Sequence, residues 1–223
     1  MELCVIIFFR IEAPRYEVVV PESPIVSVVK ESTSKVRPYL VTAVLRNVTL
    51  TQAAYDSLID LQEKLHHNIC RKRTLVAIGV HDLDTLTPPF VYSAEPPTSI
   101  KFVPLNQTKS FDGKELMEFY QTSAHLKHYL HIIKDEPLYP VIRDSKGVVV
   151  SLPPIINGDH SKLSINSRNL FFECTATDLT KVVRLFKFLR FFRKMKVSSN
   201  YVSLFGLGKH CIGYSDYDDK RVL

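Results

Sequence analysis

The sequence predicts an α+β fold. One domain with a mixed/antiparallel sheet and packed helices is expected over residues 11–180, and a divergent basic C-terminal tail over 181–223. Three observations carry this reading. Short Val- and Ile-rich runs punctuated by proline and turn residues read as strands. Residues 51–69 place apolar side chains at helical spacing. The charge is split: seven basic residues and no acidic ones lie between Lys181 and Lys196.

A chain of 223 residues is long enough to bury a core without metals or disulfides. With only seven glycines and no tryptophan, a glycine-rich phosphate loop is not expected. The net charge of +6 invites a nucleic-acid reading. Removing the seven tail cations from the 29 basic residues leaves 22 against 23 acidic ones. A basic-surface argument from composition therefore belongs to the tail. Cys4, Cys70, Cys174 and Cys211 form no CxxC pair, and their wide spacing points to reduced thiols and a cytoplasmic setting. The opening apolar run, Leu3 to Phe9, lacks a basic flank and a cleavage site and is too short to cross a bilayer. It reads as a buried strand, and no membrane partner is expected.

In chain order, Glu17–Val20, Ile25–Val29 and Val36–Val48 read as strands between prolines. Thr51 caps a helix with Ala54, Leu58, Leu61, Leu65 and Ile69 on one face. Arg71, Lys72 and Arg73 follow at its C-terminus, where the helix dipole favours cations. Leu75–Gly79 is a buried strand, and the proline-rich stretch from His81 to Pro97 is expected to be loop with one helical turn. Asp112 caps a second helix to Tyr120, with Glu115 as capping-box partner. A third helix is expected from Ser123 to Ile133. Strands Tyr139–Arg143 and Val148–Leu152 flank a turn at Asp144–Gly147. Asn157-Gly158 marks another turn, and Asn169–Thr175 a final strand. In the tail, basic residues at every third position walk around a helix and leave no clean apolar face.

Three constellations carry possible chemistry. His125, His128 and His131 spread over about a third of a helix circumference with no fixed partner beside them, so solvated or capping histidines outweigh a metal site. Asp159-His160-Ser161 spells a triad, but neighbours in sequence rarely converge on one point. A polar turn fits better, and no nucleophile is assigned. Phe171, Glu173 and Thr175 share one face of a strand. That pair of polar groups suits an amine or hydroxyl ligand, and equally suits the solvated face of an edge strand.

A set of segments carries a resemblance. They are RPYLVTAVLRNV, LQEKLHHNICRKR and VAIGVHDLDTL, then HYLHII, PLYPVIRDSKGVVVSLPPIINGDHS and FFECTATD. In this order they resemble the B3/B4 module of the archaeal and eukaryotic cytosolic phenylalanyl-tRNA synthetase β subunit, from about Ile11 to Thr180. The resemblance implies an α2β2 enzyme that uses ATP and magnesium elsewhere, with no cofactor bound by this module. It implies tRNA(Phe) and the α subunit as partners, and hydrolysis of tyrosine misattached to that tRNA. It implies Ser151, Glu173 and Thr175 as editing-pocket residues lining one cavity, Ile142 as an apolar wall and His81 near the entrance. Beyond Lys181 the chain departs from the family pattern, so a truncated product is expected, without aminoacylation by this chain alone. A non-catalytic RNA- or protein-interaction remnant is the alternative, and a cationic tail acting on RNA or membranes a third.

Overall fold

The computed structural model describes residues 25–181 and 202–205. Its centre is strand β10 (Leu170–Ala176), in which every residue is buried. A strand buried on both faces must lie inside a sheet between two layers. β10 pairs antiparallel with β2 (Tyr39–Leu45) on one side and β3 (Val76–Asp82) on the other. Val202–Phe205 (β11) adds an antiparallel edge strand beyond β2. The outer face of this sheet, through Val41, Ile78, Phe172 and Cys174, packs on helix α1 (Gln52–His67).

The inner face meets a second sheet. Its order is β1 (Ser27–Val29), β4 (Phe90–Glu95), β7 (Tyr139–Arg143), β8 (Val149–Leu152) and β9 (Ile156–Asn157). β1 and β4 are parallel and the other pairs antiparallel. Val44 and Phe171 of the first sheet and Phe90, Tyr92, Ile142 and Val150 of the second share one apolar cluster. The outer face of the second sheet, through Tyr139, Val141 and Val149, packs on helices α2 (Gly113–Tyr120) and α3 (Lys127–Leu130). A two-stranded ribbon, β5 (Lys101–Phe102) with β6 (Phe111–Asp112), precedes α2. The α+β class with a mixed sheet is as expected; the helix–sheet–sheet–helix layering is the feature that periodicity did not reveal.

Local signals account for most elements. Thr51 Oγ1 accepts the Ala54 amide at 3.2 Å and starts α1. Leu58 and Leu65 carry its buried face, each worth about 1.5–3 kcal/mol. Asp112 and Glu115 form a complete capping box at α2. Asp144 Oδ1 accepts the amides of Lys146 and Val148, which builds the β7–β8 turn, and Gly147 supplies its positive φ of 79°.

Other expectations are corrected. Ile69 lies past the end of α1 and is 42% exposed. The third helix shrinks to α3, and the segment called loop contains all of β4. Pro88 and Pro89 masked the apolar run Phe90-Val91-Tyr92, which starts directly after them. Asn157 is in β9, so the β8–β9 reversal falls at Pro153–Ile155 and not at Asn157-Gly158. The strand expected at Glu17–Val20, the apolar run Leu3 to Phe9 and the cationic run after Lys181 lie outside the described residues. Of residues 197–223 only Val202–Phe205 is described, and it pairs with β2.

Between α1 and β3, Arg71, Lys72 and Arg73 all take positive φ, at 46°, 51° and 67°. Left-handed backbone costs a non-glycine residue about 1–2 kcal/mol. The turn is held by Cys70 N–H to Leu65 O, Leu75 N–H to Cys70 O and Thr74 Oγ1 to Arg71 O. Arg73 is itself an anchor. It donates to Glu63 at 3.1 Å and to Ile155 O at 3.0 Å, and its guanidinium lies over the Tyr129 ring.

Three nitrogens surround Glu63: His66 Nδ1 at 3.7 Å, Arg73 at 3.1 Å and His125 Nε2 at 3.5 Å. His66 and Arg73, with His125, hold its carboxyl down at about 2, against the opposing effect of burial. At 3.7 Å the His66 contact is long for a hydrogen bond, so we assign the firmer hold to Arg73. His66 is buried, and its Nε2 accepts the Ile78 amide at 3.0 Å. Burial pushes its pKa below the ordinary value of 6.5, with Glu63 opposing. The signs follow. Below about 6.5 the unfolded chain protonates His66 before the native state does, so stability falls with pH. Glu63 adds a second loss as pH drops from 4.5 toward about 2. Thermal melts are expected to decline from pH 6.5 to 5, and His66→Gln should flatten that segment. An NMR titration placing the His66 pKa at or above 6.5 would contradict this.

Candidate functional site

The inner face of β10 carries Phe171, Glu173 and Thr175 toward the second sheet. Glu173 is 2% exposed, which excludes the solvated edge-strand reading. Its backbone stands opposite Thr42 on β2 and Gly79 on β3. Gly79 matters because a Cβ there would come within 2.8 Å of the Glu173 Cδ. Only glycine leaves room for the carboxylate on the sheet's inner face.

Three expected residues converge. Ser151 Oγ donates to Glu173 Oε1 at 2.8 Å. His81, fully buried, sits diagonally across β3 with Nε2 3.9 Å from Glu173 Oε1. Ile142 pairs directly with Ser151 and is 1% exposed, so the two share a face. β8 and β10 belong to different sheets, and Ser151 reaches Glu173 across the gap between them. A register shift between Ile142 and Arg143 permits this. Such a bulge re-aims the side chains that follow it.

Thr175 shares the face but has another duty. Its Oγ1 accepts from Arg37 Nε at 3.0 Å, and its carbonyl from Arg37 Nη2 at 2.9 Å. Arg37 also donates to Thr74 O and Arg73 O, and Tyr92 Oη donates to Arg37 O at 2.8 Å. Burial lowers the Arg37 pKa, while the phenol of Tyr92 and the charge of Glu173 raise it. Burial likewise pushes the Tyr92 phenol well above its usual range. Sequence reading missed Arg37, Tyr92 and Gly79, since nothing local distinguishes them.

Two polar atoms of the cluster have no hydrogen-bond partner although buried: Glu173 Oε2 and His81 Nε2. The other ring nitrogen of His81 bonds Ser161 Oγ at 2.8 Å. Leaving a buried polar atom unpaired costs about 1–3 kcal/mol. Two of them stand within one cluster, where each could still bond a further polar group.

The remaining candidates stay apart. Asp159 caps the Asn106 amide, His160 is exposed, and only Ser161 turns to His81. His125, His128 and His131 are exposed. Among the described residues no group of His, Cys, Asp or Glu is placed to hold a metal ion, and no helix is long and apolar enough to cross a membrane. Burial pushes the Cys70 thiol up to about 12 and Cys174 well above its ordinary value, so neither offers a thiolate near neutrality.

A buried acid, imidazole and serine held between two sheets over this topology define a class: the chain belongs to the B3/4 domain family, whose profile matches residues 26–198. Within that class it is similar to phenylalanine–tRNA ligase beta subunits. Those of Homo sapiens and Drosophila melanogaster are 61% and 60% identical over 173 and 172 residues, each covering 77% of this chain and 29% of the relative. The chain therefore spans under a third of the curated relatives it matches. The crystal structure of an N-terminal fragment of the phenylalanyl-tRNA synthetase beta subunit from Pyrococcus horikoshii superposes with a TM-score of 0.77. It is 31% identical and covers 85% of this chain and 53% of that one.

Gly79→Ala is expected to drive the Glu173 carboxylate off Ser151 and to destabilise the protein by about 1–3 kcal/mol. Chemical denaturation measures it. An unchanged midpoint would mean that the close approach at Gly79 is not needed.

Proposed function

We propose that this chain is the editing module of a phenylalanyl-tRNA synthetase β subunit, contributing to phenylalanyl-tRNA formation by hydrolysing tyrosine misattached to tRNA(Phe). The β-subunit relatives and the B3/4 membership support the setting. One observation carries the chemistry: the unpartnered, buried Glu173 Oε2 beside His81 Nε2.

The physical need is a second sieve. A pocket for phenylalanine rejects tyrosine by one hydroxyl, and hydrolysis of the wrong product supplies the remaining discrimination. A buried carboxylate rewards a ligand that donates to it, through a phenol or an ammonium. Phenylalanine leaves a phenol-directed acceptor unpaired, at about 1–3 kcal/mol. In this reading Glu173 binds the ligand, Ser151 holds the carboxylate, Ile142 forms the apolar wall and His81 stands beside the reacting ester. Water adds to the ester carbonyl, the bond to the tRNA ribose oxygen breaks, and that oxygen takes the proton. Partners are tRNA(Phe) and an α subunit, which uses ATP and magnesium for aminoacylation.

Thr175 supports the pocket through Arg37. Its loss acts first on stability, by about 1 kcal/mol.

Hydrolysis of tyrosyl-tRNA(Phe) against phenylalanyl-tRNA(Phe) tests the proposal. Glu173→Ala should slow tyrosine release about ten- to a hundredfold, since a bond to a charged group is worth about 1.5–3 kcal/mol. Thr175→Ala should lower the melting temperature more than the rate. A wild-type chain that releases neither amino acid would favour the retired interaction module.

A further inference from the structure

Folding accounts for one side chain of the left-handed Arg71-Lys72-Arg73 turn. Arg73 is buried and holds Glu63, Pro154 O and Ile155 O. Arg71 and Lys72 are exposed, and neither side chain makes a hydrogen bond or ion pair with the described residues. Both take a backbone conformation that glycine adopts without strain. The helix dipole does not require them either. Lys64, His66 and His67 already occupy the last turn of α1, and the dipole fades beyond that turn. Strained backbone thus carries two exposed cations that make no hydrogen bond or ion pair with the described residues.

Their location gives them a use. Arg37 ties the carbonyls of Arg73 and Thr74 to Thr175, two residues from Glu173. Arg73 ties the same turn to Pro154 and Ile155, just past Ser151. The turn is thus bolted to β10 and to the reversal that follows β8. Thr177 Oγ1 donates to Thr74 O at 3.3 Å, so the end of β10 is tied to this same corner. Arg71 and Lys72 place two exposed cations at this corner.

We propose that Arg71 and Lys72 form a phosphate-binding edge for the RNA backbone leading into the Glu173 site. This rests on the editing reading for the identity of the RNA, as a tRNA whose end enters the site. The rigid anchoring holds two long cationic side chains beside the site, where they neutralise consecutive phosphodiesters and release counterions. They read no sequence, so they act on every base equally.

The test uses the full chain and uncharged tRNA(Phe) transcript, with binding read by fluorescence anisotropy at several salt concentrations. Arg71→Gly with Lys72→Gly should weaken binding about tenfold and reduce the slope of log affinity against log salt by about 1.5. The same variant should melt at an equal or higher temperature, because it relieves the strained turn. Arg71→Lys with Lys72→Arg, which keeps both charges, should bind as wild type does. A lower melting temperature with unchanged affinity would overturn the proposal and make the turn purely structural. So would absence of tRNA binding by the wild-type chain, or a glycine variant that loses binding to phosphatidylserine vesicles but not to tRNA. The two readings separate cleanly. A wild-type chain that binds tRNA through this edge but hydrolyses nothing sinks editing alone. A glycine variant that hydrolyses tyrosyl-tRNA with unchanged KM sinks the edge alone.

Discussion

The buried guanidinium of Arg37 is the interaction on which the rest depends. It donates to Thr175 Oγ1, Thr175 O, Thr74 O and Arg73 O, while its own carbonyl accepts from Tyr92 of the opposite sheet. One residue thereby joins β10, the turn leading into β3, and β4. A buried charge is costly unless its donors are satisfied, and here the fork of donors is largely used by fixed acceptors. The arrangement has a consequence for the site. Thr175 is committed to Arg37, so Glu173 remains the polar group on that face with an unspent oxygen.

The site sits between two sheets, where a carboxylate is not expected on packing grounds alone. Three local departures from regular sheet structure accommodate it. Gly79 removes a side chain opposite Glu173. The register shift at β7–β8 sets Ser151 against it. His81 occupies the diagonal position on β3 and is tied back by Ser161. Each weakens ideal packing or pairing, and all three cluster on one carboxylate. Breaches of local rules that converge in this way are expected at functional or strained sites.

The left-handed turn after α1 shows the same logic at the surface. Its hydrogen bonds and the Arg73 anchor make the conformation rigid. Rigidity near a binding site lowers the entropy lost when a ligand docks. In the proposed editing reading, the turn would supply charge at the rim and the buried carboxylate hydrogen-bond specificity inside.

By itself the sequence determined the local elements and their faces. Thr51 and Asp112 announced helix starts, Asp144-Ser145-Lys146-Gly147 announced a turn, and period-two spacing put Glu173 and Thr175 on one face. The ordered segments from RPYLVTAVLRNV to FFECTATD were specific enough to point to the family that the comparisons show. Only tertiary structure decided that this face looks into a second sheet and not into solvent. It alone matched Arg37 to Thr175 across 138 positions and Ser151 to Glu173 across 22, and it moved β4 out of an expected loop. Periodicity reports which side chains share a side, because that depends on bonds along the chain. What the side meets depends on register and on layers brought together by burial of Val44, Phe90, Tyr92 and Phe171, and those are properties of the whole chain at once.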